Sequence, residues 1–114
     1  MDKKFTRGML EAKISEAITK FEREHMGRGP EEVKTYVIRD IILVRLKGIL
    51  TLAEKQLAKK PEGKNLIKQT RLQLLEISRS LLESIIENIT GVKVLSLYSD
   101  ISTTTGERII VFVM

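Results

Sequence analysis

VKTYVIRDIILVRL, residues 33–46, is the stretch of sequence that decides the fold. It is rich in β-branched residues, and Val33, Thr35 and Val37 alternate with the residues that follow them. Such short runs are typical of β-strands. The dipeptide Arg39-Asp40 separates the two apolar runs, so the stretch predicts an antiparallel hairpin that turns there.

A helix is predicted on the N-terminal side of this hairpin. Between residues 6 and 26, apolar residues recur at intervals of three and four, which places them on one helix face. Gly27 supplies a helix stop, and Pro30 prevents the helix from resuming. Residues 27–30 are therefore predicted to be a loop.

Two more helices are predicted after the hairpin. Gly48 ends the second strand, and Thr51 and Glu54 have the spacing of a capping box that starts a short helix reaching about residue 60. A long helix is predicted from about residue 62 to residue 90, with Gly91 as its stop. Its apolar stripe is wider than one core-facing seam requires, so we expect it to contact other surfaces on two sides.

A second strand pair is predicted at residues 92–99 and 107–113, linked by a polar loop at residues 100–106. The run IIVFVM, residues 109–114, lacks alternation, which is typical of a strand covered on both faces. The predicted fold class is α+β, with two β-hairpins forming an antiparallel sheet that packs against the N-terminal helix and the long helix. Residues 1–114 are predicted to form a single domain.

Composition excludes several classes of function. The 114 residues carry a net charge of +5, no cysteine and one histidine, His25, so disulfides, thiolate metal sites, a catalytic cysteine and histidine clusters are excluded. We expect no metal and no cofactor, and because no catalytic motif is visible we expect no enzyme activity. No apolar segment has the length of a signal peptide core or a membrane span, which predicts a cytoplasmic protein, at most peripheral at the inner face of the membrane.

Two loops are candidate anion-binding sites. In the first, residues 27–30, Arg28 and the backbone of Gly29 are the candidate groups, although ordinary turn chemistry explains this loop as well. The second, residues 102–108, is dense in hydroxyl groups and suits either an anion or the closure of a hairpin. Its candidate residues are Ser102, Thr103, Thr104, Thr105 and Arg108.

A basic cluster lies between residues 55 and 71, where six bases stand against one acid, Glu62. The cluster suits an anionic membrane surface or an acidic protein partner, and a merely solvated face is the alternative. Nucleic acid is disfavoured because no aromatic residue is interleaved with the bases. The six bases are Lys55, Lys59, Lys60, Lys64, Lys68 and Arg71.

The wide apolar stripe of the long helix predicts a homodimer or larger oligomer. One modest sheet cannot cover such a stripe, and a monomer seldom exposes a large apolar patch. The last strand is a second candidate contact. The interface candidates on the helix are Leu74, Leu82, Ile86 and Ile89.

Four ordered blocks of sequence carry a resemblance to a known family. They lie at residues 27–30, 46–54, 86–91 and 100–108, the last followed by the apolar tail. Together they resemble a family of small bacterial proteins labelled as the MpsC component of a sodium-translocating, membrane-potential-generating system. The resemblance implies cooperation with a membrane transport protein in some members, and it implies no catalytic residues.

Two classes of function follow. The first is a non-catalytic accessory or regulatory protein that acts by protein contact, with a membrane ion-transport system as its partner. The second is a small-molecule or anion-binding domain that uses the loops at residues 27–30 and 102–108.

Overall fold

Four antiparallel strands form one sheet, and helices pack against one of its faces, in a computed structural model that describes residues 5–114. The α+β class predicted from the sequence is confirmed. In chain order the elements are α1 (Arg7–His25), β1 (Glu32–Ile38), β2 (Ile41–Lys47), α2 (Leu52–Leu57), α3 (Pro61–Ile77), α4 (Arg79–Thr90), β3 (Ser96–Ser102) and β4 (Glu107–Val113).

The strand order in the sheet is β1-β2-β4-β3, and each neighbouring pair is antiparallel. The two hairpins predicted from the sequence are therefore both present, and they join along β2 and β4. The first hairpin turns at Arg39, whose φ of 54° lies in the left-handed region. Nearby, the backbone carbonyl of Asp40 accepts a hydrogen bond of 2.8 Å from the Met114 N–H, which fixes the end of the chain beside this turn.

Helix α1 lies across the edge strand β1. Ile14 and Ile18 on its apolar face are fully buried in the core. The Glu11 carboxylate accepts a hydrogen bond of 2.8 Å from the Val37 backbone N–H, so a helix side chain takes up a backbone donor of the edge strand.

The sheet has one covered face and one open face. On the covered face, Ile42, Val44 and Phe112 are fully buried against the helices. The sequence predicts that residues 109–114 are covered on both faces, but burial alternates along β4, and Ile109 and Val111 are only half-buried. That expectation is wrong for the single chain because the helices pack against the other side of the sheet.

The long helix predicted from residue 62 to residue 90 is instead two helices, α3 and α4, separated at Ser78. The Ser78 N–H donates to the carbonyls of Leu74 and Leu75, and the Ser78 carbonyl then accepts the Leu82 N–H that starts α4. The break divides the wide apolar stripe, because α3 packs beside β3 whereas α4 packs against α1. Part of the stripe stays uncovered, because Leu66, Leu72, Leu74, Ile77 and Leu81 remain exposed.

Strand β3 begins and ends later than predicted. It runs from Ser96 to Ser102, so the connecting loop contains only residues 103–106. The residues before Ser96 are held by side chains of α4: Glu87 accepts the Val94 N–H at 2.9 Å, and Thr90 accepts the Val92 N–H at 3.1 Å. These bonds guide the chain from α4 towards β3, and the Leu95 N–H then donates to the Val113 carbonyl of β4 at 2.7 Å.

None of the helices within residues 5–114 has the length and hydrophobicity that crossing a bilayer requires.

Candidate functional site

A basic cleft of about 780 Å³ opens at the end of the sheet where β2 finishes. Its other walls are the corner between α2 and α3 and the β3–β4 loop, which lie far apart in the sequence. The lining residues are Glu31, Arg45, Lys47, Gly48, Leu50, Lys55, Ala58, Lys59, Lys64, Thr103, Thr104, Thr105, Gly106 and Glu107.

Three lysines supply the free charge of the cleft. Lys55, Lys59 and Lys64 are exposed, and within residues 5–114 they make no ion pair. By contrast, Arg45 is bound to Glu107 at 2.7 Å, a contact that raises the pKa of Arg45. The positive potential in the cleft therefore comes chiefly from the lysines of the α2–α3 corner.

The local sequence explains why these lysines meet. The predicted capping box is confirmed: the Thr51 hydroxyl accepts the Glu54 N–H at 3.1 Å, and Glu54 accepts the Thr51 N–H at 3.0 Å. Helix α3 starts at Pro61, and Gly63 lies so close to α2 that a Cβ there would stand 1.8 Å from the Leu57 carbonyl oxygen. Only glycine permits this close corner, which holds the lysines together.

The β3–β4 loop is closed by its own hydrogen bonds. The Ser102 hydroxyl accepts the Thr105 N–H at 3.2 Å, and the Thr105 hydroxyl accepts the Glu107 N–H at 3.3 Å. The hydroxyl groups of Thr103 and Thr104 make no hydrogen bond to the part of the chain that the structure describes, and both residues line the cleft. The loop therefore closes the hairpin at its ends, and the hydroxyl groups at its tip remain available as donors, whereas anion binding stays a prediction.

Arg71 does not belong to the exposed basic surface. It is only 6% exposed, and its guanidinium forms a two-point ion pair with Glu54, with Nε–Oε2 at 3.0 Å and Nη2–Oε1 at 2.6 Å. It also donates to the Ile49 carbonyl at 3.0 Å. Burial of Glu54 opposes ionisation, but the hydrogen bonds from Arg71 and from the Thr51 backbone outweigh it and lower the pKa of that carboxyl.

Arg108 does not have the anion-binding position in the loop that the sequence predicts. It lies in β4 rather than in the loop, is 2% exposed, and donates to the Arg71 carbonyl at 3.0 Å. Its Nη1 is 3.9 Å from Oε1 of the buried Glu22, and neither atom has a hydrogen-bond partner within residues 5–114. Burial raises the pKa of Glu22 and lowers that of Arg108, each partly offset by the opposite charge of the other.

The alternation of β4 carries a signal that places Arg108 inside the protein. Arg108, Ile110 and Phe112 are two residues apart, so they share the face that becomes the covered one. A buried arginine needs a carboxylate and carbonyl groups nearby, and those come from α1 and α3.

The loop at residues 27–30 does not line the cleft. Arg28 donates to the carbonyls of Leu50 at 2.9 Å and Gly48 at 3.3 Å, which uses its donors on the backbone. Gly48 and Leu50 both line the cleft, so the hydrogen bonds from Arg28 hold the backbone of this wall in place without Arg28 itself entering the cleft. Gly29 packs near the Arg23 side chain, outside the cleft.

The remaining residues singled out in the sequence lie elsewhere. Lys68 is paired with Asp100 at 3.5 Å, and Lys60 is not among the lining residues.

Leu82 and Ile86, two of the interface candidates, are fully buried within their own chain and so cannot contact a second copy, whereas Leu74 stays exposed. Among the described residues, no group of three or more His, Asp or Glu side chains could hold a metal ion. Ile89 is half-buried.

The geometry suits an anion with several negative charges. Lysine ammonium groups and hydroxyl groups are donors, and lysines attract anions over several ångströms without demanding one fixed orientation. The volume lies within the usual range for small-molecule pockets, roughly 300–1,000 Å³.

Comparison with known proteins identifies the family. Residues 6–114 match the family described as the Na+-translocating membrane potential-generating system (MpsC). Two similar proteins come from Bacillus subtilis (strain 168). The uncharacterized protein YbcI is 48% identical over 109 residues, 96% of this chain and 88% of YbcI. The uncharacterized protein YrhF is 29% identical over 102 residues, 88% of this chain and 83% of YrhF.

No solved structure matches the chain significantly. Because the family match covers almost the whole sequence, the chain belongs to the MpsC family, as its resemblance predicted.

Proposed function

We propose that this member of the MpsC family is a non-catalytic accessory protein whose basic cleft binds a ligand bearing phosphate groups. One observation carries the proposal: three exposed lysines and two threonine hydroxyls from distant parts of the chain line the same cleft, and none of them has an ion-pair or hydrogen-bond partner within residues 5–114. Neither the basic cluster nor the hydroxyl loop alone would distinguish a site from a solvated surface.

Phosphate fits this donor set better than a single carboxylate does. A carboxylate carries one negative charge and is best matched by one planar guanidinium, whereas a phosphate or diphosphate group carries more charge and accepts from several donors. The arginine that borders the cleft, Arg45, is already bound to Glu107. The three free cations are lysines, which suit a polyvalent anion.

Phosphate can come from a soluble compound or from a lipid headgroup, and binding assays distinguish the two sources. We would titrate the protein with inorganic pyrophosphate and with ATP by isothermal calorimetry. In parallel we would measure sedimentation with phosphatidylglycerol vesicles and with neutral phosphatidylcholine vesicles. Saturable binding of pyrophosphate or ATP indicates a soluble ligand, and binding only to phosphatidylglycerol vesicles indicates a membrane surface.

A matched pair of variants tests the site itself. We expect Lys55→Gln/Lys59→Gln/Lys64→Gln to weaken binding at least tenfold, because the variant removes the three cleft lysines that make no ion pair among the described residues. The control Lys13→Gln/Lys20→Gln/Lys93→Gln removes the same charge elsewhere and should weaken binding less than about threefold. Equal losses in both variants would show a response to net charge alone, and no binding of any probe would overturn the proposal.

A second candidate function is contact with a membrane ion-transport system, which the family description supports. In this case the protein would work at the inner face of the membrane as a partner of an integral transport protein. The test is the Na+-dependent membrane potential, followed with a voltage-sensitive dye in cells with and without the protein. A lower potential in cells lacking the protein supports this function, and an unchanged potential argues against it.

A further inference from the structure

The open face of the sheet is half apolar and half charged. The strand register arranges its residues in four rows that cross all four strands. The two rows nearest the Arg39 turn are Ile38, Ile41, Val113, Ser96 and Tyr36, Leu43, Val111, Tyr98. The third row, nearer the cleft, is Lys34, Arg45, Ile109, Asp100. The fourth row consists of the pair Glu32 and Lys47 and the pair Glu107 and Ser102, which come together when the β2–β4 register is continued one residue past Leu46 and Arg108.

The apolar half is extensively exposed. Tyr36 and Tyr98 are 39% and 61% exposed, which together equals the surface of about one whole tyrosine, roughly 200 Å². Ile38 and Ile41 add exposures of 54% and 36%. With the half-buried side chains between them, this band approaches the size at which an apolar patch marks a contact site.

We propose that the open face binds the open face of a second copy of this chain, in a two-fold dimer whose axis runs parallel to the strands. With such an axis, each row of one protomer lies opposite the same row of the partner subunit. Strand β1 then faces β3 of the partner subunit, and β2 faces its β4. Apolar rows then meet apolar rows, and Tyr36 of one protomer faces Tyr98 of the partner subunit. The arrangement is a β-sandwich built from two chains.

The charges at the other end of the face match in the same arrangement. In the third row, Lys34 of one protomer faces Asp100 of the partner subunit. In the fourth row, Lys47 faces Glu107 of the partner subunit. Each contact occurs twice because the interface is two-fold, so the pattern gives four pairs of opposite charge and no pair of like charge. Arg45 faces Ile109 of the partner subunit and keeps its ion pair with Glu107 of its own chain.

The charge pattern selects this axis over the other simple one. A two-fold axis in the sheet plane but perpendicular to the strands would reverse the order of the rows. Ile38 and Ile41 would then face charged residues such as Lys47, and the charged side chains would be desolvated against apolar ones. That dimer would lose most of the apolar contact.

The size of the face is sufficient for an interface of the smaller stable class. Four strands of seven residues cover roughly 20 Å by 24 Å. Two such faces bury on the order of 1,000 Å² in total once their corrugation is counted, near the lower limit for a specific interface.

The dimer also explains the unbroken apolar sequence of the central strands. Residues 41–44 and 109–113 are apolar at every position, a pattern typical of strands covered on both faces. Within one chain the helices cover one face only. A second copy supplies the other cover, and it places both basic clefts at the same end of the dimer.

Light scattering after size-exclusion chromatography tests the proposal. We expect the wild-type protein to have about twice the chain mass of 13.0 kDa. Val111→Asp puts a charge at the centre of the open face and should give the monomer mass with an unchanged circular dichroism spectrum, because Val111 is half-exposed in the single chain. The control Ile77→Asp alters a residue on α3 that is 80% exposed and should leave the dimer intact.

Charge reversal tests the axis. Lys34→Glu and Asp100→Lys should each raise the dimer dissociation constant about tenfold, because each change acts twice in a two-fold interface. The double variant should return to within about threefold of wild type. A monomeric wild type, a monomer produced by Ile77→Asp but not by Val111→Asp, or a double variant as weak as the sum of its singles would overturn the proposal.

Discussion

Two arginines and three lysines of this chain satisfy their charges in opposite ways. Arg71 and Arg108 are buried and bound to carboxylates and carbonyls, whereas Lys55, Lys59 and Lys64 are exposed and, in the part of the chain described, unpaired. A cation removed from water must find partners within the protein, but a solvated one keeps its capacity for an outside ligand. The basic cluster at residues 55–71 therefore divides into a structural part, Arg71, and exposed lysines whose charges remain available to an outside ligand.

The largest effect that would test this division is the loss of Arg108. We expect Arg108→Met to lower the free energy of unfolding by about 3–5 kcal/mol, because it leaves Glu22 buried without a counter-charge. Urea denaturation followed by circular dichroism measures the loss.

We expect the Glu22–Arg108 pair to contribute no more to the free energy of unfolding than two apolar side chains would. The closest approach of the two charged groups is 3.9 Å, and several of their polar atoms lack partners among the described residues. The double variant Glu22→Leu/Arg108→Met should therefore regain stability to within about 1 kcal/mol of wild type. If the double variant stays several kcal/mol less stable than wild type, the buried pair contributes more than its geometry indicates.

The close corner that presents the lysines is the next test. Gly63→Ala would place a Cβ 1.8 Å from the Leu57 carbonyl oxygen, so α2 and α3 must move apart. We expect a loss of about 2–4 kcal/mol in unfolding free energy and, in the folded fraction, weaker pyrophosphate binding. Gly8→Ala is the matched control, because a Cβ at that position meets nothing within 4 Å.

The Glu54–Arg71 pair should make the stability of the protein depend on pH. Glu54→Gln should lose about 2 kcal/mol at pH 7, because Arg71 is left with a neutral partner. The pKa of Glu54 is lowered by folding, so its contribution is fully present above its ordinary value of 4.5 and is lost as the pH falls through its value in the folded protein. The difference in stability between wild type and variant should shrink in that acidic range, as urea midpoints at several pH values would show.

The smallest expected effect concerns the exposed lysines. Lys55→Gln/Lys59→Gln/Lys64→Gln should change the unfolding free energy by no more than about 0.5 kcal/mol, because these side chains are solvated and make no ion pair within residues 5–114. Thermal denaturation without ligand provides the measurement. A large loss of unfolding free energy would show that these lysines stabilise the fold.

Local signals were enough to predict several parts of the fold. The hairpin turn at Arg39 and the capping box of Thr51 and Glu54 depend on residues a few positions apart, and both are present. The break at Ser78 has no glycine or proline to mark it. It arises from tertiary packing, because α3 and α4 contact different neighbours.

The site was predicted in pieces but not as one cleft. The lysines and the threonine loop each stood out in the sequence, yet only the strand order β1-β2-β4-β3 brings the β3–β4 loop beside the end of β2. Arg71 was assigned to the basic cluster and Arg108 to the anion-binding loop because their partners, Glu54 and Glu22, are distant in the sequence. Spacing alone does not reveal such pairs.

The hydrogen bond between Glu11 and the Val37 N–H has a consequence for aggregation. Val37 lies in the edge strand β1, where an unpaired N–H would invite a strand from another molecule to extend the sheet. The Glu11 carboxylate occupies that donor and sets a negative charge where an incoming carbonyl would have to approach. A strand from another molecule therefore cannot pair with this N–H, which disfavours edge-to-edge association at this point of β1.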